Sequence, residues 1–259
     1  MARAAQRRRT PRRTNQSGVH ILHSHAVVRA LVRSAELGED DHVVDLGAGP
    51  GALTAALAAI GPRVTAVERD EAFVRTLRRR FADRPHVRVV HGDLLQVPIP
   101  RAAKVVANIP FGTSSALLAR LLNPAGPLRP GADLVVERGF ALRASAPVQR
   151  SAEAAWRSAR YEIRLAGPIP RASFGPPPAV DAAHLRIRPR RTLDSEAEAR
   201  LRALLAAAYD GRVRSAGSVA RRVVGPARAR RGLLAAGVDA GTPATLVPAW
   251  AWGAVAVGE

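Results

Sequence analysis

The chain has 259 residues, with 40 Lys+Arg against 21 Asp+Glu, a formal net charge of +19 and no cysteine. Hydrophobic residues make up 47% of it, which excludes a disordered basic tail and is enough to build at least one core. The absence of cysteine excludes disulfides, thiolate zinc sites and a cysteine nucleophile, and fits a reducing, cytoplasmic setting. The excess of cations calls for a polyanionic partner, because each phosphate neutralised releases counterions.

Residues 1–17 read as a basic, flexible arm carrying Arg7, Arg8, Arg9, Arg12 and Arg13, with no apolar stretch that would make a secretory signal. From Ser24 to Leu37 the apolar residues Val27, Val28, Leu31 and Val32 recur at helical spacing. A strand over His42–Leu46 then turns through glycines into a helix over Ala52–Ile60. The alternation continues with a second strand (Arg63–Val67), a helix (Glu71–Phe81), a third strand (Val87–Val90) and a fourth (Lys104–Ala107). A helix over Ser114–Leu122, which Ser114 and Ser115 are placed to cap, precedes a strand over Ala132–Glu137. This order predicts right-handed crossovers and an α/β fold, with a mostly parallel sheet covered by helices on both faces.

Further on, Ala152–Arg160 reads as a helix, and Glu162–Ala166 and His184–Arg188 read as strands. The Pro-rich Phe174–Val180 reads as an ordered loop. From Asp194 the pattern is helical, starting with Glu196–Tyr209. The stretch Ala240–Gly258 is uncharged but interrupted by Pro243 and Pro248, so it predicts a buried helix rather than a membrane span. Thr242 is placed to cap that helix, with Pro243 at its first position. The expected division is an arm at 1–17, an α/β domain at 18–188 and a small all-helical domain at 189–259.

Chemistry concentrates at the predicted strand ends. Asp45-Leu-Gly-Ala-Gly-Pro-Gly51 is a glycine turn between strand and helix, where the backbone can approach a ligand closely. It matches neither a dinucleotide G-x-G-x-x-G nor a P-loop. Glu68 ends the second strand, where an acid in doubly wound folds accepts ribose hydroxyls. Asp93 follows the third strand and can accept from an adenine amino group. Asn108-Ile-Pro-Phe111 ends the fourth, combining an amide acceptor, a fixed backbone and an aromatic face for a base.

Together these motifs resemble class I, Rossmann-like S-adenosylmethionine-dependent methyltransferases that modify adenine N6 in rRNA, and among them the Erm family. Asn-Ile-Pro-Phe-Gly-Thr-Ser (108–114) is nearer to Erm than to the Asn-Leu-Pro-Tyr-Asn-Ile-Ser of the 16S-directed dimethyltransferases, and Phe174-Gly-Pro-Pro-Pro-Ala-Val180 matches a family loop. The resemblance implies methylation of a 23S rRNA adenine and resistance to macrolide, lincosamide and streptogramin B antibiotics. The alternatives are a 16S rRNA adenine dimethyltransferase and a non-catalytic rRNA-binding assembly factor.

Carried over, the resemblance implies that Gly47 and Gly49 lie at the methionine end of the cofactor, Glu68 on its ribose and Asp93 on its adenine. Asn108 would stand between cofactor and target. Val19-His-Ile-Leu22 stands where the family has Gln-Asn-Phe-Leu, so His20 and Leu22 take the N-terminal contacts. The Asn108 side chain and the Pro110 carbonyl would accept the N6 protons, and Phe111 would stack on the target adenine. The arm, with Arg212, Arg214, Arg221 and Arg222 from a stretch free of acids, would grip RNA. His20, His23 and His25 lack partner acids, so no metal site is expected, and the enzyme is expected to be a monomer away from membranes.

Overall fold

A computed structural model describes residues 20–123, 130–190, 192–212 and 214–258. A two-residue strand β1 (Ile21–Leu22) leads into α1 (His25–Ser34), which begins where the Ser24 hydroxyl accepts the Val27 N–H. The predicted alternation follows: β2 (His42–Leu46), α2 (Ala52–Ala58), β3 (Arg63–Glu68), α3 (Glu71–Arg80), β4 (Val87–His91), β5 (Lys104–Asn108), α4 (Ser114–Leu121) and β6 (Ala132–Glu137). Helix α5 (Arg138–Ala144) continues directly from β6 and is not anticipated by sequence, since no side chain caps it. Next come α6 (Ala152–Arg160), β7 (Tyr161–Ile169), β8 (Phe174–Gly175) and β9 (Ala182–Pro189). Four helices close the chain: α7 (Ser195–Ala208), α8 (Ala216–Val224), α9 (Pro226–Ala235) and α10 (Ala249–Val257).

The main sheet has the order β4-β3-β2-β5-β6-β9-β7. Its strands are parallel from β4 to β6, and β9 runs antiparallel to both β6 and β7. This is the Rossmann-like arrangement that the alternation predicts. The central strands are buried on both faces, which is why they read as continuous apolar runs. On one face Leu46, Val105, Leu117 and Leu134 pack together, and on the other Leu31, Val43, Leu57 and Val106. With the four strands parallel, the carboxyl ends of β2, β3, β4 and β5 open on one edge.

A second core holds Trp156, Leu201, Leu204, Val219, Leu233 and Trp252. Helix α6 lies ahead of β7 and β9 in the chain, yet it contributes Ala155, Trp156 and Ala159 to this helical core. The last helix departs from expectation. Pro243 is followed by a short 3-10 turn over Ala244–Leu246, and α10 starts only after Pro248. A helix begun at Pro243 would place Pro248 in its interior, where the ring clashes with the preceding turn. Thr242 does not cap it; its carbonyl instead accepts the Ala216 N–H at 2.7 Å, tying the segment to α8. Trp252 is fully buried while Trp250 is exposed. Among the described residues no helix is long and apolar enough to cross a membrane.

Candidate active site

The four strand ends open onto a cavity of about 310 Å³, lined among others by His20, Asp45, Gly47, Glu68, Asp93 and Asn108. The glycine turn forms its floor. Its backbone is tied to β3, because the Gly47 and Ala48 N–H groups both donate to the Val67 carbonyl, at 2.8 and 3.0 Å. Gly51 closes the turn at φ +87, and a Cβ there would lie 2.6 Å from Leu77 Cδ2, so only glycine lets the turn sit against α3.

The acids at the end of β3 and just after β4 are fixed by backbone donors. Glu68 Oε2 accepts the Gly49 N–H at 2.8 Å, and its Oε1 accepts the Arg69 and Asp70 N–H groups at 2.8 Å each. The carboxylate thus clamps the glycine turn to the end of β3 and has one acceptor position left. The Gly49 N–H is already spent on Glu68, so Gly49 contributes shape to the site. Asp93 Oδ1 accepts the Leu95 N–H at 2.7 Å. Its loop is gripped by Arg120 of α4, which donates to the Leu94 carbonyl at 2.6 Å and also to the Val97 carbonyl.

Asp45 was legible in the sequence only as a strand-end acid. It is 1% exposed, and its Oδ2 accepts the Thr54 hydroxyl at 2.6 Å. Burial pushes its carboxyl up to about 7 against that hydrogen bond, and the Glu68 charge adds to the rise.

The Asn-Ile-Pro-Phe segment is shaped from both sides. Asn108 Nδ2 donates to the His20 carbonyl at 2.9 Å, which leaves Oδ1 as the group turned elsewhere. His20 is held in place because β1 pairs antiparallel with β8 and its Nδ1 lies 2.9 Å from the Pro176 carbonyl. Phe174-Gly175, read from sequence as loop, is therefore a strand that anchors the N-terminal segment over the cavity. Leu22 lines the cavity and is buried in the core. Phe111 stands between the His20 ring at 5.8 Å and Phe174, which meets it edge-on at 6.4 Å.

Two expectations need correction here. The Pro110 carbonyl already accepts the Thr113 N–H at 2.9 Å and the Thr113 hydroxyl at 2.7 Å, which fills both its lone pairs. Ser114 is the first residue of α4, and its hydroxyl donates to the Phe111 carbonyl at 3.0 Å rather than capping the helix.

Of the arginines expected to meet RNA, Arg7, Arg8, Arg9, Arg12 and Arg13 lie outside the described residues. Arg212, Arg221 and Arg222 are exposed. Arg214 is not part of that open face: it turns inward and pairs with Asp210 at 3.2 Å. The acid-free reading of 211–238 missed this because Asp210 sits just outside the window. Among the described residues no group of three or more His, Asp or Glu side chains converges on a metal position.

Residues 12–246 match the family described as ribosomal RNA adenine dimethylase. An rRNA adenine N-6-methyltransferase of Bacillus licheniformis is 36% identical over 176 residues, 67% of this chain and 61% of that protein. The alignment thus spans about three fifths of the relative's length. Ribosomal RNA small subunit methyltransferase A of Thermosynechococcus vestitus is 32% identical over 246 residues, 91% of this chain and 92% of that protein. Among solved structures, the 23S rRNA methyltransferase ErmE superposes with a TM-score of 0.77 at 26% identity, covering 92% of this chain and 98% of that one.

Proposed function

The chain belongs to the ribosomal RNA adenine dimethylase family, and from that premise we propose that it methylates N6 of an adenine in ribosomal RNA, using S-adenosylmethionine. The cavity suits that cofactor. It offers a glycine turn for close approach, carboxylates at the ends of β3 and β4 for hydroxyls and an amine, and a buried acid with an open oxygen. When bound, S-adenosylmethionine supplies the methyl group from its sulfonium. Glu68, Asp93 and the Gly47 turn would hold it, with His20 and Leu22 closing the near side.

Adenine N6 is a weak nucleophile because its lone pair is delocalised into the ring. Acceptors for its two protons favour a pyramidal nitrogen with that pair directed at the methyl. Asn108 Oδ1 serves as one acceptor, oriented by the hydrogen bond that commits Nδ2 to His20. The second role, which the resemblance gives to Pro110, passes to the Ile109 carbonyl, since Ile109 also lines the cavity and the Pro110 carbonyl is occupied by Thr113. Phe111, braced by Phe174, offers its face to the target base, which must be unstacked to reach it. Orientation and preorganised polar groups provide the rate, and no strong base is needed. Arg212, Arg221 and Arg222, together with the basic arm, bind RNA phosphates.

We take 23S rRNA as the target, with macrolide-lincosamide-streptogramin B resistance as its consequence. The observation that carries this is the likeness to ErmE across 98% of that chain, the helical end included. A 16S target is the second reading, favoured by the Thermosynechococcus relative matched over 92% of its length. Primer extension on 23S and 16S rRNA treated with enzyme and cofactor separates them. A stop on 23S alone is expected, a stop on 16S alone selects the second reading, and no methyl transfer to either overturns the activity.

A further inference from the structure

A second recess, of about 370 Å³, lies where the sheet meets the helical core, with β7 and the end of α5 on one side and α10 on the other. It is lined among others by Ser145, Ser158, Glu162, Arg164, Arg190 and Trp250, and it shares no residue with the cofactor cavity. Its walls are tied together, because the Ala249 N–H donates to the Pro147 carbonyl at 3.0 Å. Trp250 is 43% exposed, although α10 carries no charge and turns Trp252 fully inward. Trp156 has the guanidinium groups of Arg160 and Arg202 against its ring, whereas among the described residues no cation or second ring packs on Trp250. A single exposed ring is ordinary on a protein surface, but the groups set around this one are not. Arg190 is exposed, and its Nε donates to the Ser158 carbonyl at 3.4 Å, which leaves both terminal amines uncommitted among the described residues. Arg164 pairs with Glu162, the one acid of the lining, so Arg190 leaves the recess one cation in excess. Ser145 and Ser158 bring hydroxyls that can meet the edge of a base.

A flat aromatic face, an open guanidinium and small hydroxyls match the π-face, phosphate and edge of one unstacked nucleotide. We infer that this recess holds an unpaired nucleotide of the RNA substrate, its base stacked on Trp250 and its phosphate on Arg190. This rests on the reading of RNA as the substrate. The sheet sets the distance from the target. Strands β6 and β9 separate β5 from β7, and Asn108 pairs with Val135 of β6. Three residues back along β6, Ala132 is level with Ile187 of β9 and, through it, with Ile163 in the lining. With strands about 4.8 Å apart and about 3.4 Å per residue, Ile163 lies roughly 17 Å from Asn108. Helix α5 bridges that gap, from Arg138 at the carboxyl end of β6 to Ala144 in the lining. A nucleotide a few positions from the target reaches the recess along one extended strand. The recess therefore selects RNA whose target adenine lies in an unpaired stretch, and it sets the register of that stretch over the cavity.

The test is tryptophan emission of the full chain, titrated with an oligouridylate of about twelve nucleotides, which offers no adenine for transfer. A duplex RNA of equal length and uridine monophosphate are compared with it. Trp156 and Trp252 are buried and no tryptophan lines the cofactor cavity, so a change in emission reports on Trp250. The single strand is expected to quench the wild type, the duplex to bind with little quenching, and the mononucleotide to require on the order of 100-fold more ligand. Variant affinities are read by filter binding. Trp250→Ala should weaken the single strand roughly fivefold or more and the duplex less than about twofold. Trp250→Phe keeps a stacking face and should cost less than about threefold, and both variants should bind S-adenosylmethionine within about twofold of wild type. Arg190→Gln should weaken the single strand and reduce its slope against log salt by about 1. Absence of quenching, a Trp250→Ala protein that binds the single strand like wild type, or equal loss on the duplex overturns the inference. A mononucleotide that binds as tightly as the single strand overturns RNA as the occupant. Quenching through Trp250 in an enzyme that methylates neither rRNA upholds the recess as an RNA site and overturns the methyltransferase reading instead.

Discussion

Replacing Asn108 by alanine removes two distinct things, and the structure separates their sizes. The first is Oδ1, the acceptor proposed for one N6 proton as the nitrogen becomes pyramidal. Losing one such preorganised group costs about 10²- to 10³-fold in kcat, or roughly 3–4 kcal/mol of transition-state stabilisation. The second is the 2.9 Å hydrogen bond from Nδ2 to the His20 carbonyl, which contributes about 1 kcal/mol to holding the segment that closes the cavity. That segment keeps its other ties, the β1–β8 pairing and the contact of His20 Nδ1 with the Pro176 carbonyl, so cofactor affinity should fall no more than about fivefold. Asn108→Asp sharpens the test. It retains acceptor oxygens but sets one of them against the His20 carbonyl, so it should impair cofactor binding more than alanine does. Single-turnover methyl transfer from labelled S-adenosylmethionine, alongside calorimetric binding, measures the two effects independently. An Asn108→Ala enzyme within about tenfold of wild-type kcat would refute the acceptor role. Complete loss of cofactor binding would recast Asn108 as a residue of the cofactor site alone.

Gly51→Ala forces a Cβ to 2.6 Å from Leu77 Cδ2 and 3.1 Å from Phe81 Cε2 at a left-handed φ. Strain and overpacking together should cost about 2–4 kcal/mol in urea denaturation, and a loss below about 1 would contradict the close approach. Asp133 is buried on β6, accepting from the Ser34 hydroxyl at 2.5 Å, facing His184 Nε2 at 2.7 Å and pairing with Arg188 at 2.8 Å. Burial alone would push its carboxyl up, but those partners outweigh it and hold the group below its ordinary value. Its contribution is therefore present above the unfolded carboxylate value and lost as pH falls through the lower folded one. Asp133→Asn should destabilise by about 3–5 kcal/mol near neutral pH and flatten the acid limb of a stability–pH curve. Arg221→Gln and Arg222→Gln should each weaken RNA binding and reduce the slope against log salt by about 1. Arg214→Gln should leave that slope unchanged because Arg214 already faces Asp210, and filter binding across a salt series reads all three.

Much of the framework was legible in the residues alone. The runs His42–Leu46, Lys104–Ala107 and Ala132–Glu137 announce strands because strands buried on both faces are largely apolar. Asp194 announces a helix start because the physics of capping is local. The same locality exposed Glu68, Asp93 and Asn108, since a parallel sheet brings consecutive strand ends to one edge whatever the loops do.

Tertiary contact decided the rest. Strand β1 is two residues long, and it exists only because Phe174-Gly175, some 150 residues away, supplies its hydrogen bonds. No local pattern could show that Trp156 joins the helical core, although β7, β8 and β9 follow it in the chain. Asp45 is the plainest case. Its sequence position marks an acid at a strand end, but only the packing around it removes water from both oxygens and leaves one without a partner. Spacing along the chain sets which groups are available; burial, a property of distant neighbours, sets which of them lose contact with water.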